Sequence, residues 1–143
     1  MMNRVNIQKI QPEAYAAMFG LEGYLATSTL PVILQELVRL RASQINGCNF
    51  CKGMHTDAAK KHGETDGRLA VLANWTTSDL FDEKERATLE VAEAVTIIAD
   101  QGLSDELYSK VAKFLSAEEI AQLIVLIATV NAWNRIGIAT ANP

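Results

Sequence analysis

The stretch Glu36-Leu-Val-Arg-Leu-Arg-Ala-Ser-Gln-Ile-Asn-Gly-Cys48-Asn-Phe-Cys51-Lys-Gly-Met-His55 decides how this chain reads. Leu34, Leu37, Val38 and Leu40 recur at helical spacing, and Asn46-Gly47 is a strong turn signal that ends the helix carrying them. A second helix is expected from near Cys48 to Gly63, with Lys60, Lys61 and His62 in its last turn, where cations suit the dipole. Cys48 then sits among backbone N–H groups that lack an intrahelical acceptor, which favours a thiolate. Cys51 lies one turn on, at a spacing from which two thiols can reach disulfide geometry. His55 follows Cys51 at i,i+4 and shares its face, so an imidazole is placed to take a thiol proton. Glu36 shares a face with Val32, Ile33, Leu40 and Ser43, and an acid on an apolar surface calls for a partner. A tight turn should pack the two helices side by side and bring Glu36 toward His55.

Outward from this pair of helices, the pattern stays helical and nothing alternates with period two for long enough to make a strand. Pro12 opens a helix with an apolar stripe of Tyr15, Met18, Phe19 and Leu21, reaching about Gly23. Thr29 is expected to cap the helix that Leu30 and Pro31 open and that carries Glu36. Thr65 caps a short helix, Asp66 to Ala73, and a Thr76-Thr77-Ser78 loop leads to a long helix from Asp82 to Ala99, with Ile97 and Ile98 inward. Ser104 opens another that reaches Phe114. Ser116-Ala117-Glu118-Glu119 is a capping box for the last helix, which runs to about Ile138. Apolar residues surround this last helix, so it is expected to be central or covered by another subunit. The expectation is an all-α fold, one domain over residues 1–143, of about six to seven helices.

Composition narrows the function classes. Hydrophobic residues make up 49% and charged residues 21%, ordinary globular values, with a net charge of -4. No Lys/Arg stripe marks a nucleic-acid or anionic-membrane partner. The residues from Met1 to Ile10 contain no continuous apolar stretch of the secretory kind, and a cytoplasmic location is expected. The longest uncharged run, Ile120 to Asn134, is 15 residues, short of the roughly 20 that span a bilayer. Two cysteines three apart in a reducing compartment point to redox or metal chemistry rather than a structural staple.

The residues leave several readings open. The catalytic one is a cycle in which Cys51 thiolate attacks a peroxide oxygen to give a sulfenic acid, and Cys48 condenses with it to a disulfide that an external dithiol reduces. His55 would be the base and Glu36 its orienting carboxylate, the logic of a catalytic triad in another setting. The order of attack is open, since Cys48 has the helix terminus and Cys51 the histidine. The pair also suits a dithiol–disulfide exchanger acting on another protein, or a non-catalytic redox sensor. Cys48, Cys51 and His55 with Glu36 or His62 could instead hold zinc, although structural zinc usually draws on two separated ligand pairs. Two buried small hydrophobes would be the plainest reading. Arg39 and Arg41 read as salt-bridge or interface residues, and Trp75 and Trp133 as packing anchors.

The combination of Glu36, Cys48-x-x-Cys51 and His55 resembles the core motif of alkylhydroperoxidase D-like proteins, within the wider carboxymuconolactone decarboxylase family. Leu40-Arg-Ala-Ser-Gln-Ile-Asn-Gly-Cys48 and Asn131-Ala-Trp133-Asn134-Arg135 strengthen the likeness over most of the chain. The resemblance implies helical subunits assembled as trimers or hexamers, no metal or organic cofactor, and peroxidase or disulfide reductase activity in antioxidant defence. It implies a small hydroperoxide as substrate and an external dithiol, such as a lipoyl group or a thioredoxin-like protein, as reductant. It further implies that Cys51 is the peroxide-reactive thiol, Cys48 its disulfide partner, and His55 and Glu36 a proton relay. Between the cysteines stands Phe50, where some members carry histidine and others tyrosine, so no proton can pass through that side chain. Members acting as lactone decarboxylases lack the cysteine pair.

Overall fold

The computed structural model describes residues 2–141; Met1, Asn142 and Pro143, the ends of the expected domain, lie outside the described residues. The described residues form eight α-helices and no strand: α1 (Ile7–Ile10), α2 (Pro12–Leu25), α3 (Val32–Asn46), α4 (Asn49–Lys61), α5 (Asp66–Val71), α6 (Glu83–Thr96), α7 (Asp105–Val111) and α8 (Ala117–Thr140). A 3-10 segment, Leu72–Thr77, follows α5. The all-α expectation holds, with one helix more than expected. That helix is the single turn of α1, capped by the Asn6 side chain, which accepts from the Lys9 amide.

Local chemistry explains most boundaries. Asp82 with Glu85 and Ser116 with Glu119 make reciprocal capping boxes at α6 and α8, and Thr65 and Ser104 cap α5 and α7. Gly47 ends α3 in the left-handed region, φ 72° and ψ 28°, a conformation that costs glycine nothing. The amides of Gly47 and Cys48 turn back to the carbonyls of Gln44 and Ser43, and α4 leaves antiparallel to α3.

Several boundary expectations fail: α5 ends at Val71 rather than Ala73, α7 ends at Val111 rather than Phe114, and two further misses have a visible cause. Thr29 does not cap α3, which begins after Pro31 with no side-chain cap. The hydroxyl and amide of Thr29, with the Ser28 hydroxyl, donate instead to Oε1 of Gln122 on α8. A distant side chain satisfies the donors that a local cap would have used. α6 stops at Thr96, and Ile97 and Ile98 are 49% and 60% exposed rather than inward. The Thr96 hydroxyl is held by the amide of Asn131, and Ile97 leaves the helix at φ -98°, ψ 54°. The apolar period runs on past the end of the helix because the pattern carries no information about where the packing partner ends.

Two apolar clusters form the core. The larger joins Leu25 and Val38 to the inward faces of α6, α7 and α8, and the smaller packs Leu37, Leu40 and Leu89 against Leu72, Trp75 and Phe81. Trp75 anchors packing as expected, and its indole donates to Glu93, which also pairs with Arg41. By length and composition α8 is apolar enough to cross a membrane. Here it packs against α2, α3 and α6 and carries buried Asn131 and Asn134.

Those two asparagines tie α8 to the end of α3. Asn46 Nδ2 donates to Oδ1 of Asn131 and of Asn134, each at 2.9 Å. Asn134 Nδ2 donates to the Ser43 hydroxyl, which donates to the Arg39 carbonyl. Among the described residues, no buried side-chain nitrogen or oxygen lacks a partner. Buried amides are expensive to orphan, so Asn134→Ala is expected to cost about 1–3 kcal/mol in urea unfolding. A change of only a few tenths would contradict the pinning role.

Candidate active site

The turn at Gly47 sets α3 and α4 side by side, and their facing sides carry the predicted residues. Cys48 is the N-cap of α4, and its carbonyl accepts from Lys52 to start the helix. Its sulfur is joined to that of Cys51, with the Cα atoms 5.3 Å apart. Both cysteines are buried. One turn beyond Cys51, His55 meets the carboxylate of Glu36, Nδ1 to Oε2 at 3.0 Å. All four predicted residues therefore fall in one region, and Glu36, 7% exposed, has the partner its apolar surroundings call for, although Val32, expected on the same face, is exposed.

Arg39 completes the setting of that acid. Its Nη1 donates to Oε1 of Glu36 at 2.7 Å, so each carboxylate oxygen has its own donor. Burial acts to raise the carboxyl of Glu36. It is outweighed by the hydrogen bond from His55, the charges of Arg39 and His55, and the hydrogen bond from Arg39, which together hold the group below its usual 4.5. An ionised Glu36 accepts only, so Nδ1 of His55 carries a hydrogen, and whenever the ring is neutral its lone pair is on Nε2.

Cys51, His55, Glu36 and Arg39 line a cavity of about 580 Å³; Cys48 does not. The rest of the wall is largely apolar. Tyr15 and Phe19 of α2 pack on Trp133 of α8 with ring centroids 5.3 and 5.7 Å away, and Phe50 and Met54 line the α4 side. Glu22 accepts from the Trp133 indole at 3.0 Å and lies 3.6 Å from the Arg39 guanidinium.

Several of these residues have a place at the cavity that the sequence pattern does not assign them, and Glu22 and Met54 carry no signal at all. The apolar stripe of α2 is not core: of its residues only Leu25 is buried, and Tyr15 and Phe19 wall the cavity. Trp133 packs, as expected, but it also lines the cavity. Arg39 forms a salt bridge, as expected, with Glu36 at i,i+3, and Arg41 forms one with Glu93. Nothing local signals Glu22, which meets Trp133 across 111 positions of chain. Among the described residues no group of three or more His, Cys, Asp and Glu side chains is arranged to hold a metal ion.

The sequence profile of the carboxymuconolactone decarboxylase family matches residues 12–94, the span that holds Glu36, Cys48, Cys51 and His55. The chain belongs to the carboxymuconolactone decarboxylase family. The uncharacterized protein YdfG of Bacillus subtilis (strain 168) is 39% identical over 142 residues, 99% of this chain and 97% of YdfG. A crystal structure from Agrobacterium tumefaciens, of a protein of unknown function proposed to be the antioxidant defence protein AhpD, superposes with a TM-score of 0.95. It is 36% identical and covers 99% of this chain and 97% of its own. The debrominase Bmp8 shares the fold at a TM-score of 0.83 and 25% identity, over 95% of this chain and 73% of that one. This carboxymuconolactone decarboxylase family member thus has the AhpD-like fold, and its cysteine pair fits an antioxidant, peroxidase-like role.

The depressed carboxyl of Glu36 has a consequence for acid stability. A group whose folded pKa lies below its unfolded value contributes stability that is complete above the unfolded value and is lost as pH falls through the folded one. The difference in unfolding free energy between wild type and Glu36→Gln should therefore be largest near neutrality and shrink below pH 4.5. Urea unfolding across that range checks this; a difference independent of pH would contradict it.

Proposed function

We propose that this protein is a thiol-dependent peroxidase of the peroxiredoxin type, reducing alkyl hydroperoxides or hydrogen peroxide through Cys48 and Cys51 in cytoplasmic antioxidant defence. One observation carries the reading: Cys51, half of a joined cysteine pair, opens onto an apolar cavity beside an imidazole held by a buried carboxylate. In the reduced protein, His55 takes the thiol proton of Cys51 with the support of Glu36. The thiolate attacks the terminal peroxide oxygen, the O–O bond breaks, and the proton goes to the departing oxygen to give an alcohol or water. Cys51 is left as a sulfenic acid. The thiol of Cys48 attacks that sulfur, water leaves, and the disulfide forms.

An external dithiol, a lipoyl group or a thioredoxin-like protein, then attacks the disulfide and returns both thiols in two exchange steps. The chemistry needs no metal or organic cofactor. Nothing in it calls for nucleic acid or a membrane. The cavity volume of about 580 Å³ is in the range that takes small organic ligands, roughly 300–1,000 Å³, and favours an alkyl hydroperoxide over hydrogen peroxide. Phe50, 53% exposed, carries no proton and adds only to the apolar wall. Leu21 and Tyr24 on α2 and Ile124 and Ile138 on α8 are exposed apolar side chains. Their burial between copies of the chain is part of the proposal, as a trimer or hexamer.

Reduced protein mixed with one equivalent of cumene hydroperoxide should lose both thiols without added metal. Cys51→Ser should abolish peroxide consumption, whereas Cys48→Ser should give one burst followed by over-oxidation of Cys51, read by mass spectrometry. Wild-type consumption by both variants would refute the assignment.

A further inference from the structure

Arg39 stands between two acids that come from different helices. Through Nη1 it holds Oε1 of Glu36 at 2.7 Å, and its Nη2 lies 3.6 Å from Oε2 of Glu22. Glu22 is itself fixed by the Trp133 indole, so α2, α3 and α8 each contribute one part of the brace. The Arg39 side chain is only 13% exposed. A planar guanidinium can reach two carboxylates at once, which a compact ammonium does less well. Because Arg39 occupies Oε1, the other oxygen of Glu36 is left to accept from the imidazole.

We propose that Arg39 is a positioning residue for the cysteine chemistry. Braced by Glu22 and Trp133, it turns Glu36 so that His55 keeps its hydrogen on Nδ1 and receives the Cys51 thiol proton on Nε2. The role rests on the thiol chemistry proposed above, while the tautomer it fixes exists whether or not peroxide is the substrate. The charged and titratable groups that line the cavity are Tyr15 and Glu22 on α2, Glu36 and Arg39 on α3, and Cys51 and His55 on α4. Arg39 is the one fixed cation among them. Without it, buried Glu36 has only His55 as a partner, and burial favours the protonated acid. A Glu36 that has taken up a proton from solvent donates a hydrogen bond to Nδ1, the ring gives its Nδ1 hydrogen to solvent and takes one on Nε2, and the base is lost to Cys51. The neutral acid also no longer stabilises an imidazolium, so the thiolate forms only at higher pH.

The test uses the full chain carrying Arg39→Met, with two readouts. In nitrogen-15 NMR of the oxidised protein, His55 should be the Nδ1–H tautomer in wild type and the Nε2–H tautomer in the variant, with His62 as an internal control. In the reduced Cys48→Ser background, iodoacetamide alkylation of Cys51 should slow by about tenfold or more at neutral pH, within the range expected for loss of a general base. Its pH profile should move upward. Arg39→Lys keeps the charge but not the fork and should recover only part of the rate. Glu22→Gln loosens the brace alone and should shift the profile the same way by less, which gives a reading even if Arg39→Met fails to fold. A wild-type tautomer and profile in Arg39→Met would overturn the proposal, and full recovery by lysine would reduce Arg39 to a nearby charge. If wild type consumes no peroxide, the peroxidase reading falls, and the tautomer result still decides the role of Arg39.

Discussion

The reversal of the chain at Gly47 is the constraint on which the site depends. Glu36 lies eleven positions before that glycine and His55 eight after it, which places them about 16 and 12 Å along their helices from the turn. Two antiparallel helices joined by a longer or looser connection would let these residues slide past each other. The left-handed backbone and the two returning amide bonds remove that freedom. The Asn46 side chain then locks the corner to α8. The meeting of acid and imidazole is therefore a consequence of a polar lock at one end of α3 rather than of any attraction between the two groups alone.

Burying Glu36 and Arg39 is not the most stable use of two interior positions. Desolvation of two ions commonly cancels their attraction, and well-packed apolar residues of similar size do as well or better. What the ion pair adds is direction. A carboxylate with a donor on each oxygen has one orientation, and an imidazole facing it has one tautomer. The apolar wall of Tyr15, Phe19 and Trp133 works with this by keeping the cavity low in competing hydrogen-bond partners.

How far the sequence discloses this structure depends on whether the deciding contact is local. Caps such as Ser116 with Glu119, the turn at Gly47 and the i,i+4 relation of Cys51 to His55 are set by residues within a few positions of one another, and all are legible. The approach of Glu36 to His55 could be read because one short turn links their helices. Gln122 serving the loop at Ser28 and Thr29, and Glu22 serving Trp133, join positions about a hundred residues apart, and no local pattern announces them. The same limit explains α2. Its apolar residues have the spacing of a core stripe, and spacing cannot distinguish a stripe that faces the interior from one that walls a cavity.

The polar lock at Asn46 has a bearing on how this protein ages. An asparagine followed by glycine is prone to deamidate, because no side chain hinders the attack of the glycine nitrogen on the amide carbon. In the fold, the Gly47 amide is engaged with the Gln44 carbonyl, and the Asn46 side chain is held by its two acceptors, so the attack geometry is denied. Each excursion to the unfolded state lifts that protection. A chain that returns with aspartate at position 46 brings a carboxylate against two carbonyl oxygens where an amide NH2 donor had stood, and the corner that sets the site loses its lock.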